Sequence, residues 1–281
     1  MSNYPGDLLR DVELLKELAD ASDEISMDRY SAQDLLIETK PDLTPVTDAD
    51  RSVEEKIRAI IAREFPGDLV VGEEFGSPDS IPHDSRYWII DPIDGTKNFV
   101  RGVPVWASLI ALMDGDDVLV GVVSAPALFR RWYASKNSGA FLQIIQNKSE
   151  IAATRKIKVS AVSKLEDASL SISTFASPTT GNRNDGWGTL HTGLLALAEK
   201  VWRTRGYGDF WSHMLVAEGA VDCALEPKLA LWDMAPLAII LSEAGGRFSD
   251  FRGVDGPNGK NGISTNGLLH EAVLSHFPNF R

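Results

Sequence analysis

The stretch from Trp88 to Pro104 constrains this chain more than any other, because it runs an apolar segment straight into paired acids. Trp88, Ile89 and Ile90 read as a buried strand that we expect to stop at Asp91. Pro92 fixes one backbone torsion, so Asp91 and Asp94 project from a stiff turn rather than a loose loop. Two carboxylates held this close repel each other unless something positive sits between them. A hard divalent cation such as Mg²⁺ suits them, because it takes oxygen ligands and works with phosphate substrates. Gly95 and Thr96 follow at once, placed to open a short helix whose N–H groups face an anion. The plain alternative is a surface turn with two solvated aspartates, and only the rest of the chain separates the two.

A chain of 281 residues holds about two domains, or one large one. With 43% hydrophobic and 24% charged residues there is ample core for either. The formal net charge of −12 argues against a nucleic-acid surface, which would carry a basic patch. Cys223 is the only cysteine, so no internal disulfide forms; Val221, Ala224 and Leu225 around it mark a small core residue. Met1 to Arg10 has no apolar stretch of signal-peptide length, and no run approaches the ~18 apolar residues of a membrane helix. We therefore expect a cytoplasmic protein with neither a membrane nor a nucleic-acid partner.

In chain order, Asp7 to Arg29 is predicted helical, with Leu8, Val12, Leu15 and Ala19 on one face and charges on the other. Leu35 to Ile37 is a predicted strand, and the prolines in Lys40 to Pro45 exclude a helix there. Thr47 and Asp50 have capping-box spacing ahead of a helix that lines up Val53, Ile57 and Ile60, and the role of cap, of site residue, or both fits Asp50. A strand at Leu69 to Val71 ends in Gly72-Glu73-Glu74, and a polar loop runs from Ser77 to Ser85. Val105 to Met113 and Val118 to Ala125 are β-rich runs joined by a hairpin signal at Asp114-Gly115-Asp116-Asp117, and Arg130 to Ala134 and Ala140 to Ile145 continue them.

The polar stretch Gln146 to Arg155 marks the expected division into halves, 1–150 and 151–281. Beyond it, strands at Ser169 to Ser173, Val201 to Arg205 and Val221 to Leu225 alternate with helices near Trp187 to Ala198, at Asp209 to Gly219 and at Trp232 to Ala244. A polar loop fills Ser177 to Asp185, and Asp209 is a candidate N-cap. Asp233 and Pro236 fall in a first helical turn, where the dipole favours a carboxylate and a proline is tolerated; Gly245-Gly246 end that helix. The first half reads as α+β around an antiparallel sheet, the second as α/β.

Four separated pieces together resemble the inositol-monophosphatase-like family of Mg²⁺-dependent phosphatases. They are Val46-Thr47-Asp48-Ala49-Asp50, Gly72-Glu73-Glu74, Asp91-Pro92-Ile93-Asp94-Gly95-Thr96, and Trp232-Asp233-Met234-Ala235-Pro236 running on to Glu243-Ala244-Gly245-Gly246. They occur in the family's order and span nearly the whole chain. The resemblance implies a layered αβαβα sandwich, the inositol monophosphatase / fructose-1,6-bisphosphatase-like fold. It implies Glu73, Asp91, Asp94, Asp233 and the carbonyl of Ile93 as ligands of two or three Mg²⁺ ions. Most of these lie in the first half, and the second supplies Asp233 and the substrate pocket. Asp50 and Thr96, with Glu73, become the catalytic residues that activate a water for in-line attack without a covalent intermediate. Gly95, Thr96, Asn98, Asp209 and Glu226 become substrate-binding residues, and the assembly a homodimer.

Within the family the chain most resembles the histidinol-phosphatase branch, through Thr39 to Pro45, Lys97 to Trp106 and Tyr207-Gly208-Asp209-Phe210. The substrate this implies is histidinol phosphate, whose ammonium and imidazole call for carboxylates; Asp209 and Glu226 are the candidates. A phosphatase of inositol or of another small sugar or nucleotide phosphate is the alternative on the same fold. An inactive metal-binding regulatory homologue is the alternative of another class, and a solute-binding module lacks an export signal. His83, His191, His213 and His270 show no metal-ligand spacing and read as structural or exposed, and no Gly-x-x-x-x-Gly-Lys loop is present.

Overall fold

In the computed structural model, which describes residues 8–41, 43–77, 85–146, 150–175 and 186–278, the chain opens with α1 (Leu8–Arg29). A hairpin of β1 (Ile37–Thr39) and β2 (Pro45–Thr47) leads into α2 (Asp48–Glu64). Next come β3 (Leu69–Gly72), β4 (Arg86–Asp94) and the short α3 (Thr96–Val100). The strands β5 (Ala107–Asp114), β6 (Asp117–Ala125), β7 (Arg130–Ser135), β8 (Gly139–Gln146) and β9 (Glu150–Lys156) follow. Strands β3 to β9 form one sheet in sequence order, parallel at β3–β4 and antiparallel elsewhere. The remainder is β10 (Ser169–Ile172), α4 (His191–Ala198), β11 (Arg203–Arg205), α5 (Asp209–Ala217), β12 (Cys223–Glu226), α6 (Leu231–Glu243), β13 (Arg247–Ser249), β14 (Gly262–Thr265) and α7 (His270–Leu274). Its five strands form a mixed sheet in the order β11-β10-β12-β14-β13. The loop Ser177 to Asp185, His83, Asp42, and the loop from Ser77 to Ser85 except for its two ends lie outside the described residues.

Strand alternation builds the layers. Ile110, Leu112, Val120 and Val122 point to one side of the large sheet and pack on Leu15 and Leu18 of α1 and Val53 and Ile57 of α2. Leu109 and Val123 point to the other, toward Met234, Leu237 and Ile240 of α6 and Phe210 and Met214 of α5. Gly121 lets α6 lie close, since a Cβ there would come within 2.6 Å of Ile239. The second sheet meets α5 and α6 through Ala224 and Phe248. Its far face, with Leu170, Ile172, Leu225 and Ile263, is covered by Leu194 and Leu197 of α4 and Val273 and Leu274 of α7. The order is αβαβα. Cys223 is buried in that last layer, and His213 and His270 are buried too.

Several expectations are corrected by packing. Helix α1 is not charged on its outer face alone: Asp11 and Asp23 are buried, paired at 2.7 Å with Arg86 and the fully buried Arg131. Burial pushes the Asp23 carboxyl up to about 6 against the pull of Arg131. β1 begins at Ile37, because the Leu35 N–H is taken by the Ala32 carbonyl in a turn. Strand β4 does not stop at Asp91 but runs to Asp94. The β4–β5 register shifts between those two residues, so the N–H that Pro92 lacks falls where the ladder is interrupted. The polar stretch 146–155 contributes β9, the outermost strand of the large sheet.

Candidate active site

The interrupted end of β4 and the first turn of α6 bring three acids together. Asp91, Asp94 and Asp233 each present a carboxylate oxygen, and these lie within 4.8 Å of one another. Burial pushes all three carboxyls up; neighbouring acids add to it, Glu73, Asp233 and Asp94 for Asp91, Asp209 and Asp233 for Asp94. Asp233 reaches about 6, restrained by the Ala230 N–H that its Oδ2 accepts at 2.7 Å, so it is a helix cap and a member of the trio at once. Mutually repelling oxygen donors at this spacing, Asp91 buried and Asp94 and Asp233 half-buried, fit a hard divalent cation, which would relieve the repulsion raising their pKa values. Glu73 lies outside the trio, near enough to push the Asp91 carboxyl up, and is held at 2.8 Å by Lys40 Nζ.

Asp50 resolves the choice between cap and site by serving both. Its Oδ2 accepts the Thr47 N–H at 2.8 Å and the Thr47 hydroxyl at 2.5 Å, closing the capping box of α2. Its Oδ1 is thereby aimed at the Thr96 hydroxyl, 3.3 Å away, which also reaches the Ile93 carbonyl at 3.0 Å. Burial pushes the Asp50 carboxyl up to about 6, against the Thr47 bonds that lower it. Gly95 caps α3 at φ 84, and a Cβ there would meet the Val105 carbonyl at 2.9 Å.

Asp209 is not the N-cap of α5. Gly208 holds that position, and Asp209 is the first helical residue, at φ 44. Its Oδ2 accepts from the Asn98 amide at 3.0 Å, and the same amide holds the Val105 carbonyl at 2.9 Å. Asn98 thus ties the Gly95 turn to the head of α5. The next N–H, of Phe210, donates to Asp94 Oδ2 at 2.9 Å, so this helix start also orients one of the trio. Glu226, at the end of β12, accepts from Ser173 through one oxygen, while its buried Oε1 has no partner.

Two side chains around Glu73, Lys40 and Glu54, have a place in the site that their sequence context does not indicate. Lys40 bridges Glu73 and Glu74, and Glu74 is pushed up to about 7 by burial in spite of it. Fully buried Glu54 accepts the N–H groups of Glu74 at 2.8 Å and Phe75 at 3.2 Å, fixing the turn that carries Glu73. Gly72 makes room for it, since a Cβ would fall 1.9 Å from the Glu54 carboxylate. One signal was available: Glu54 stands four residues after Asp50, on the same face of a helix, among its apolar positions.

The same acids would make the binding of a cation here pH-dependent. A carboxyl whose pKa is raised by folding contributes stability below its unfolded value, and loses it as pH rises through the folded one. For Asp50 and Asp233 that window runs from 3.8 to about 6. Protons and a divalent cation therefore compete for this cluster. Mg²⁺ is expected to raise the melting temperature more at pH of about 7.5 than at pH of about 5. Equal shifts at the two pH values would detach these acids from the cation.

Comparison with known proteins follows the same lines. Residues 8–280 match the model of the inositol monophosphatase family. The chain is 51% identical to a Mycobacterium tuberculosis protein named histidinol-phosphatase, covering 94% of this chain and 96% of the relative. It is 49% identical to a Streptomyces coelicolor protein of the same name, covering 96% and 97%. Among solved structures, Thermotoga maritima IMPase superposes with a TM-score of 0.80 at 29% identity, covering 96% of this chain and 97% of that one. With the acid trio, the Asp50–Thr96 pair and the αβαβα layers in one chain, and a family match along nearly all of it, the chain belongs to the inositol monophosphatase family.

Proposed function

We propose that this protein is a Mg²⁺-dependent phosphomonoesterase that hydrolyses L-histidinol phosphate to L-histidinol and phosphate, a step of histidine biosynthesis. The observation that carries the substrate is Asp209. A carboxylate beside the Gly95 turn, 3.0 Å from Asn98, has no task in binding a phosphate, which it repels. An ammonium group carried by the same substrate gives it one. Holding a non-glycine residue at φ 44 costs on the order of 1–3 kcal/mol, and such strain is kept mostly at functional sites. Glu226 lies near enough to Asp209 for the two to interact, so a second carboxyl stands beside it in the pocket.

Asp91, Asp94, Asp233, Glu73 and the Ile93 carbonyl are the residues that would hold two or three Mg²⁺ ions. Bound there, the ions supply Lewis acidity and neutralise the charge of a phosphoryl transfer. The residues of the chain do the rest. Thr96 Oγ1, hydrogen-bonded to Asp50, orients the attacking water, and Asp50 Oδ1 accepts its proton through that hydroxyl. Thr47 fills the other oxygen of Asp50 and so leaves Oδ1 as the basic one. The Gly95–Thr96 turn receives the phosphate at the start of α3, and Asn98 holds that turn and Asp209 in register. Most of the ligands come from the first half of the chain, and Asp233 and the pocket acids from the second. A homodimer in the cytoplasm completes the proposal, following the family resemblance; no helix among the described residues is long and apolar enough to cross a membrane.

Glu226 favours a second reading. Its unpartnered oxygen serves a hydroxyl as well as an ammonium, as a phosphatase of inositol or another small sugar phosphate requires. Asp209→Asn separates the two. Breaking a desolvated charge pair costs on the order of 2–5 kcal/mol, so kcat/KM for histidinol phosphate is expected to fall well over tenfold. Turnover of a neutral phosphomonoester of similar size should change far less. An equal decline for both substrates, or none, would leave Asp209 a positioning group for Asn98 and remove the chief support for histidinol phosphate.

A further inference from the structure

We propose that Ser108 is a positioning residue for the Asp91 carboxylate, acting through the peptide between Pro92 and Ile93; this rests on the reading of Asp91 as a metal ligand. That peptide is held at both ends. Its N–H, from Ile93, donates to Asp91 Oδ1 at 3.0 Å. Its carbonyl, from Pro92, accepts from the Ser108 hydroxyl at 2.6 Å. The two bonds fix the tilt of the peptide, and through its N–H they fix the rotation of the carboxylate. The sheet does not supply this bond by itself. The β4–β5 ladder pairs Asp91 with Leu109 and resumes only at Asp94 with Ala107, so the Pro92 carbonyl sits in the gap and a side chain takes it.

The direction of the hydrogen bonds follows from counting protons. Ser108 has a single hydroxyl proton, committed to the Pro92 carbonyl. Its contact with the Ser22 hydroxyl on α1 must therefore be one in which Ser22 donates and Ser108 accepts. Both serines are fully buried, and Ser26 donates in turn to the Ser22 carbonyl at 2.7 Å. A pair of hydrogen-bonded hydroxyls, Ser22 and Ser108, thus runs from the outer helix layer to the back of the acid cluster. Only its last member touches the peptide that orients Asp91. Groups standing behind a metal ligand in this way set its orientation, and losing them costs roughly 10–100-fold in metal affinity.

Calorimetric titration of the metal-free protein with Mg²⁺ tests this, with the Mg²⁺ dependence of turnover read alongside. Ser108→Ala is expected to weaken Mg²⁺ binding roughly tenfold and to regain most of its kcat once Mg²⁺ saturates. Ser22→Ala removes the same group one step back and leaves the bond to Pro92 in place, so its Mg²⁺ affinity should match the wild type. If Ser108→Ala does not fold, Ser108→Cys, with a similar size and a weak donor, should shift affinity in the same direction. Unchanged affinity in the folded Ser108 variant would overturn the proposal, as would an equal shift in Ser22→Ala, which would mark a packing effect. Failure of the wild-type protein to bind Mg²⁺ would be a different result, overturning the metal site itself.

Discussion

Asp91→Asn is expected to lower kcat/KM on the order of a thousandfold while leaving the metal-free protein at least as stable as the wild type. The two effects have one cause. Burial and the charges of Glu73, Asp233 and Asp94 push the Asp91 carboxyl well above the usual carboxylate range, so its ionised form is costly in the fold. Asparagine is neutral at every pH and keeps an oxygen in place of Oδ1, which accepts the Ile93 N–H at 3.0 Å. It therefore avoids the loss of stability that the ionising acid brings as pH rises, and it preserves the turn. The same change deletes one charge and one ligand from the trio, and losing metal stabilisation of a phosphoryl transfer costs several kcal/mol, about a factor of ten for each 1.4. Steady-state phosphate release in excess Mg²⁺ and thermal unfolding in chelator measure the two halves. Near-normal turnover would remove Asp91 from the ligand set, and a sharp fall in melting temperature would make the loss one of folding.

Thr96→Ala is expected to cut kcat by about 10²–10⁴, the range that positioned proton transfer supplies, with KM changed by roughly threefold at most. The Thr96 hydroxyl links Asp50 Oδ1 to the mouth of the Gly95 turn, and its methyl group contributes nothing to either bond. Thr96→Ser should therefore restore much of the rate. Because Thr96 starts a helix of only five residues, the cost to the fold should be small. A loss appearing chiefly in KM would make Thr96 a phosphate binder and return proton acceptance to another group.

What the sequence by itself determined was local chemistry. The capping box at Thr47 and Asp50, the strand running into Asp91, the hairpin at Asp114 to Asp117 and the acid in the first turn of α6 all depend on neighbours within a few residues. These stand in the folded chain close to where they were predicted. The resemblance to a family added the partnership among them, which spacing alone does not contain. Tertiary structure decided everything that depends on what lies opposite. Asp209 has the composition of a helix cap, but the turn at Gly208 and the amide of Asn98, far away in sequence, give its carboxylate another task. Asp11 and Asp23 resemble solvated charges until Arg86 and Arg131 arrive from another layer. The apolar run stops before Asp91, and only the register with β5 shows that β4 continues past the interruption to Asp94. Glu54 bonds the N–H groups of Glu74 and Phe75, and Ser108 the carbonyl of Pro92, all backbone brought near by folding, and such partners leave no periodic trace in the sequence.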